Sequence, residues 1–281
     1  VKHNAQTSFN EPIHHRTCGA GRARLGSLAV ALPSSGWKHA VGVSGTGSRG
    51  GAADGKRVAV LVSGHGSNLE ALLERARRDP SAGLEVVLVA SDRPGVRALD
   101  VARAASVATA VVAPAEHPDR SAFDRALRDR VRAAEPDAVC LAGFMRILGP
   151  EFVHAFRDRI VNTHPSLLPA FPGAHAVRDA LAYGVKVTGC TVHLVDEQVD
   201  HGPVLFQAPV EVGPDDDEAS LHQRIKAIEH RLLPEAVRLV AHGRVALDGR
   251  RASLPPDPRG TGSAPPGPPG VPARRDRQHG G

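Results

Sequence analysis

Between residues 57 and 250, short runs of Val, Leu, Ile and Ala alternate with longer stretches in which apolar residues recur every three or four positions. Short apolar runs fit strands buried on both faces, and the wider recurrence fits helices packed against them. The pattern predicts strands over 58–62, 86–90, 110–112, 138–142, 160–162, 187–195 and 204–212. Helices are expected near 95–105 and 120–134. A further helix directly follows the first glycine turn, since Leu69, Leu72, Leu73 and Ala76 fall at helical spacing. A long helix over 217–241 places Leu221, Ile225, Ile228, Leu232 and Leu239 on one face, and Pro234 inside it is expected to kink it or mark a break. Such alternation describes an α/β fold, a mostly parallel twisted sheet flanked by helices.

Outside this region the periodicity stops. Residues 1–55 are rich in Gly, Ser and His, and residues 251–281 are dense in Pro and Gly, so both are expected to be disordered tails around one domain at 56–250. Only 3% of the chain is aromatic, which leaves the core to small aliphatic residues. The formal charge of +5 raises the question of nucleic acid, and its location answers it. Residues 1–56 contribute +5 and residues 253–281 contribute +2, leaving −2 for the body. No basic face on the fold is expected, and no specific nucleic-acid partner. No apolar run approaches the length of a membrane span, although Leu25 to Leu32, behind Arg16, Arg22 and Arg24, weakly imitates a signal peptide. Cys18, Cys140 and Cys190 cannot all pair and show no metal-like spacing, which suits a reducing cytoplasm and predicts no metal site.

Two stretches carry candidate chemistry. The first strand ends in Ser63-Gly64-His65-Gly66-Ser67-Asn68, after which a helix begins. Glycines allow a close backbone approach, and the helix start offers unpaired N–H groups to an anion, so a phosphate fits there. The plainer alternative is a tight turn capped by Ser67 or Asn68. The second stretch, Asn162-Thr163-His164-Pro165-Ser166-Leu167-Leu168-Pro169, lies where a strand leaves the sheet at its carboxyl end, the edge at which open α/β sheets bind ligands. Asn162 and His164, two residues apart, project to one side of an extended chain. Downstream, Gly189, Thr191, His193 and Val195 share a strand face, and the acidic loop 196–203 follows. An acid, an imidazole and a carboxamide are thus available without a serine or cysteine in an elbow motif. The set suits attack by a substrate's own nucleophile; a solvated acidic loop is the alternative for 196–200.

Five motifs occur in order: Ser63-Gly64-His65-Gly66-Ser67-Asn68-Leu69; Leu141-Ala142-Gly143-Phe144-Met145-Arg146-Ile147-Leu148; Asn162 to Pro169 with Phe171-Pro172-Gly173; Gly189-Cys190-Thr191-Val192-His193; and Asp200-His201-Gly202-Pro203. Over about 57–250 they resemble the phosphoribosylglycinamide formyltransferase family. The resemblance implies a Rossmann-like formyltransferase fold, 10-formyltetrahydrofolate as co-substrate and no metal. It implies Asn162, His164 and Asp200 as the catalytic trio. Gly66, Ser67, Asn68 and Glu229 would bind the phosphoribosylglycinamide, and Glu229 shares a helix face with His222 and Lys226. Arg120, Met145, Arg146, Ile147, Leu148 and Asn162 would line the folate site, while Thr191 stands near the trio without a settled role. The partners implied are small molecules, not a membrane, and a homodimer is left open. The same Asn-x-His-Pro-Ser core also occurs in methionyl-tRNA formyltransferases and formyltetrahydrofolate hydrolases. The glycine-serine-asparagine turn, and the absence of added basic or regulatory domains, argue against both. A noncatalytic binding protein is the other alternative, which a broken trio would reveal.

Overall fold

In a computed structural model, which describes residues 55–255, the predicted alternation becomes one nine-stranded sheet. Its elements are β1 (Lys56–Val62), α1 (Ser67–Arg78), β2 (Leu84–Ser91), α2 (Arg97–Ala104), β3 (Thr109–Val111), α3 (Arg120–Arg132), β4 (Ala138–Leu141) and α4 (Pro150–Ala155). They continue with β5 (Ile160–His164), α5 (Ala176–Tyr183), β6 (Val187–Leu194), β7 (Val204–Glu211), α6 (Glu218–Ala241), β8 (Ala246–Asp248) and β9 (Arg251–Ser253). The strand order is β3-β2-β1-β4-β5-β6-β7-β9-β8. Strands β1 to β5 pair in parallel, β6 runs antiparallel to both β5 and β7, and β9 returns parallel to β7.

Both sheet faces are covered, and the sequence of β1 shows how. Val58, Val60 and Val62 point into one core, shared with Leu69 and Leu72 of α1 and with Leu221, Ile225 and Val237 of α6. Ala59 and Leu61 point the other way, into a core shared with Phe123 and Leu127 of α3 and Phe152 of α4. This is the period-two alternation of a strand buried on both sides. In β6, Cys190, Val192 and Leu194 enter the first core, leaving Thr191 and His193 for the opposite face.

Two expectations need correction, and α4, α5 and the β8–β9 hairpin are new. Of the kink or break expected at Pro234, the break does not occur: α6 runs unbroken for 24 residues, started by an Asp217 capping box with Ser220. Leu233, Pro234, Ala236 and Val237 are all buried, so packing along that turn outweighs the hydrogen bond that the ring removes. The strand expected to end at residue 162 continues to His164, because β6 pairs alongside it, with Asn162 opposite His193 and His164 opposite Thr191. The β8–β9 hairpin was not expected, although Asp248-Gly249 between short β segments is a turn signal. Of the tails expected at 1–55 and 251–281, only residue 55 and residues 251–255 are described, and there β9 (Arg251–Ser253) carries the sheet three residues into the expected tail. Among the described residues, no helix is long and apolar enough to cross a membrane, and no cluster of His, Cys, Asp and Glu could hold a metal ion.

Candidate active site

The strand order turns between β1 and β4, so the loops leaving their carboxyl ends open a crevice there. The two loops are stitched together. The Ser63 amide donates to the Gly143 carbonyl (3.2 Å), and the Met145 amide donates to Ser63 Oγ (2.9 Å). Leu61, Leu141, Asn162 and His193 lie in one row across β1, β4, β5 and β6. At about 4.8 Å per strand, Asn162 therefore sits roughly 10 Å from the β1 row, with the glycine turn and the polar cluster at the same edge.

The glycine turn is held in a shape that only glycine tolerates well. Gly66 has φ +84°, and a Cβ there would lie 2.7 Å from Ala98 Cβ at the start of α2. The same helix supports the turn through Ala98 N–H to Gly64 O (3.1 Å) and the Arg97 guanidinium to His65 O (3.0 Å). Helix α1 starts at Ser67 with no side-chain cap, so neither Ser67 nor Asn68 fills the capping role. The first-turn amides of α1 keep the anion-binding character of a helix start. Asn68 differs from the simple phosphate picture. Its side chain is 7% exposed and donates to Glu229 Oε2 at 3.0 Å, which ties the turn to α6. Glu229 is itself 4% exposed. The turn and Glu229 are therefore together, but the Asn68 amide faces Glu229.

The polar cluster is built on β5, β6 and two loops. His164 Nε2 lies 2.8 Å from the Phe171 carbonyl, which can only accept, so that nitrogen carries a proton. Its Nδ1 lies 3.4 Å from Asp200 Oδ2. Asp200 is itself oriented by the Gly173 amide, which donates to Oδ2 at 2.7 Å. It occupies a left-handed backbone conformation (φ 53°), which aspartate tolerates better than most residues and which turns the carboxylate back toward the sheet. Asn162 Nδ2 lies 3.3 Å from His193 Nε2. The three predicted catalytic residues are thus brought together. Burial holds the Cys140 and Cys190 thiols up at about 12, so neither supplies a thiolate nucleophile.

Beside this cluster, a cavity of about 480 Å³ opens between α3 and the loop after β4. Arg120, Met145, Arg146 and Ile147 line it, four of the residues expected to face folate. Leu148 does not line it; its side chain packs into the second core with Phe152. Asn162 also lies outside this cavity, in the polar cluster. Arg120 donates to the Ile147 carbonyl (2.9 Å), and Arg146 donates to Asp92 Oδ2 (2.6 Å) while its guanidinium lies over the Phe123 ring. Asp92 was missed from sequence, although Ser91-Asp92 stands where β2 reaches the same edge. Thr191 has a structural place: it donates to the Ser166 carbonyl and accepts from the Leu168 amide and the Gln207 side chain, pinning the loop that follows His164.

An open α/β sheet with a glycine turn and an amide, imidazole and carboxylate cluster at one edge fits a group-transfer enzyme, and the formyl transferase family model matches residues 56–237. A phosphoribosylglycinamide formyltransferase of Mycobacterium tuberculosis is 54% identical over 198 residues, 70% of this chain and 91% of that protein. A trifunctional purine biosynthetic protein adenosine-3 of Drosophila melanogaster is 48% identical over 190 residues, 67% of this chain and 14% of that protein. The crystal structure of a glycinamide ribonucleotide transformylase from Symbiobacterium toebii superposes with a TM-score of 0.69 at 48% identity, covering 72% of this chain and 94% of that one. The chain belongs to the phosphoribosylglycinamide formyltransferase family.

Proposed function

We propose that the protein transfers the formyl group of 10-formyltetrahydrofolate to the amino group of 5'-phosphoribosylglycinamide, giving 5'-phosphoribosyl-N-formylglycinamide and tetrahydrofolate in purine synthesis. The observation that carries this reading is the Asn162, His164 and Asp200 cluster at the sheet edge shared with the Gly66 turn. Residues 56–250 form the catalytic domain, and the cavity beside α3 takes the folate. The free thiols at Cys140 and Cys190 favour a cytoplasmic setting.

The neutral amine attacks the formyl carbon, and the carbonyl oxygen takes up the negative charge. Asn162 donates an amide N–H to that oxyanion. His164 acts as an imidazolium: its Nε2–H stays on the Phe171 carbonyl, and its Nδ1–H, loosely placed at 3.4 Å from Asp200, is the second donor. Donors of this kind each contribute about 3–4 kcal/mol in the transition state. Asp200 receives the proton lost by the amine and returns one to the departing folate nitrogen as the carbon–nitrogen bond breaks, through water where the distance requires it. The backbone amides of Gly66, Ser67 and Asn68 hold the phosphate, and Glu229 faces the glycinamide end.

The test is to mix the purified chain with 10-formyltetrahydrofolate and follow folate absorbance with and without phosphoribosylglycinamide. Transfer requires the acceptor for turnover. Equal consumption without it would replace transfer by hydrolysis.

A further inference from the structure

His193, which the mechanism above does not use, stands on β6 directly opposite Asn162 of β5 and is 2% exposed. Its Nδ1 lies 2.8 Å from the Leu194 carbonyl oxygen. A carbonyl only accepts, so Nδ1 carries the proton; in the neutral ring, Nε2 then bears a lone pair and needs a donor. The nearest such group is Asn162 Nδ2, at 3.3 Å. An asparagine amide can turn end for end with almost no change in shape, so its hydrogen-bond partners alone decide which end points where.

We propose that His193 is a positioning residue for formyl transfer: its Nε2 accepts one N–H of Asn162 and thereby fixes the amide so that the other N–H, not the carbonyl oxygen, meets the developing oxyanion. The proposal rests on the reading that Asn162 contacts that oxyanion. Without the lock, the amide is free to present Oδ1, an acceptor, to a negatively charged oxygen.

The surroundings keep the ring in the state this needs. Burial pushes His193 below the ordinary imidazole value, while the Leu194 carbonyl, Asp200 and Asp196 push it up and His164 pushes it down. A second proton on the ring would place Nε2–H toward Asp200 Oδ1, 3.9 Å away, and against the Asn162 donor. One protonation would then disturb both the amide and the carboxylate of the trio.

Four measurements on the full chain test this. In His193→Leu, kcat should fall about 10- to 30-fold with KM for both substrates within about twofold, because a transition-state donor is misaligned while binding is untouched. In His193→Gln, whose terminal oxygen reaches the place of Nε2, most of that loss should be recovered. On an Asn162→Ala background, His193→Leu should cost almost nothing further, since a residue acting only through Asn162 has nothing left to act on. Nitrogen-15 spectra of the wild-type ring, assigned by its absence in His193→Gln, should show Nδ1 protonated and Nε2 bare at pH 7.5. The proposal is overturned by an Nε2–H tautomer, by a Gln variant no better than Leu, or by an equal loss on the Asn162→Ala background. If Asn162→Ala alone leaves turnover unchanged, the oxyanion reading of Asn162 fails first, and this inference falls with it.

Discussion

Asn162, His164, His193 and Asp200 each have a named hydrogen-bond partner, and His164, His193 and Asp200 are nearly closed off from solvent. Beside them, the cavity between α3 and the loop after β4 has a wall in which Met145 is 70% and Ile147 is 59% exposed. The difference follows from where each region sits in the sheet. The first is built on paired strands, where register fixes side chains; the second is built on a loop tied down by Ser63, Arg120 and Asp92 and by Leu148 in the core, which leaves Met145 and Ile147 outside. Groups that move protons or meet charge gain from being fixed before the substrate arrives, whereas an apolar wall can close around a flat ring system afterwards. Substitutions in the first region should therefore change turnover, and those in the second should change binding.

The sharpest way to break that comparison is Asp200→Asn. The Gly173 amide can still donate to the remaining side-chain oxygen, so the loop should stay in place while the charge beside His164 disappears. We expect kcat to fall about 100- to 1,000-fold, the range for loss of a general acid–base group, with KM for the phosphorylated acceptor within about threefold. An unchanged kcat, with the melting temperature intact, would remove Asp200 from the chemistry.

Gly66→Ala tests the anion turn, which sits between the two regimes. Forcing a Cβ into a left-handed conformation costs about 1–2 kcal/mol, and contact with Ala98 adds to it. The turn should shift, raising KM for phosphoribosylglycinamide about 10- to 100-fold, with a smaller change in kcat. Arg146→Ala comes next in size. It removes a charged donor from the cavity wall, and KM for the formyl donor should rise about tenfold while kcat stays within about twofold, as for one charge-assisted contact. A large loss in kcat with KM unchanged would mean that the cavity belongs to the chemical step. Urea melts of the same variant, alone and with Asp92→Asn, would separate the cost of leaving Asp92 buried without its partner.

How much of this was readable in advance depended on the range over which the determining contacts act. The two faces of β1, the helix from Ser67 and the start of α6 at Asp217 follow from local periodicity and capping, and all three are where the pattern places them. Asn162 and His164 share a strand face because they are two residues apart, so that pairing was local too. That Asp200 returns to His164 depends on a left-handed residue in a loop 36 positions away, and the motif resemblance, not spacing, supplied it. The Asn68–Glu229 bond spans 161 positions and joins two helices, so no local pattern carries it. His193 was noticed as one member of a strand face. Its significance lies in which carbonyl its Nδ1 meets, and a sequence does not carry tautomers.

The smallest expected effect is on stability rather than rate, and it probes the closed region on its own. His193 is held below its ordinary value mainly by burial, and His222 likewise by burial, then by Lys226. For an imidazole shifted down, the unfolded chain binds the proton first as pH falls. The folded state therefore loses stability as pH drops below about 6.5, and the loss levels off once the folded-state ring has also titrated. Asp124, the buried carboxyl shifted the other way, is pushed up by its own desolvation, and acts from the acid side of that window. Melting temperatures measured from pH 7.5 down to 5.5 should fall by a few degrees, and His193→Leu should flatten the slope by removing the more deeply buried of the two imidazoles. A slope unchanged in that variant would show that the ring already titrates as an exposed histidine does, and the contrast between a closed catalytic corner and an open binding wall would lose its strongest support.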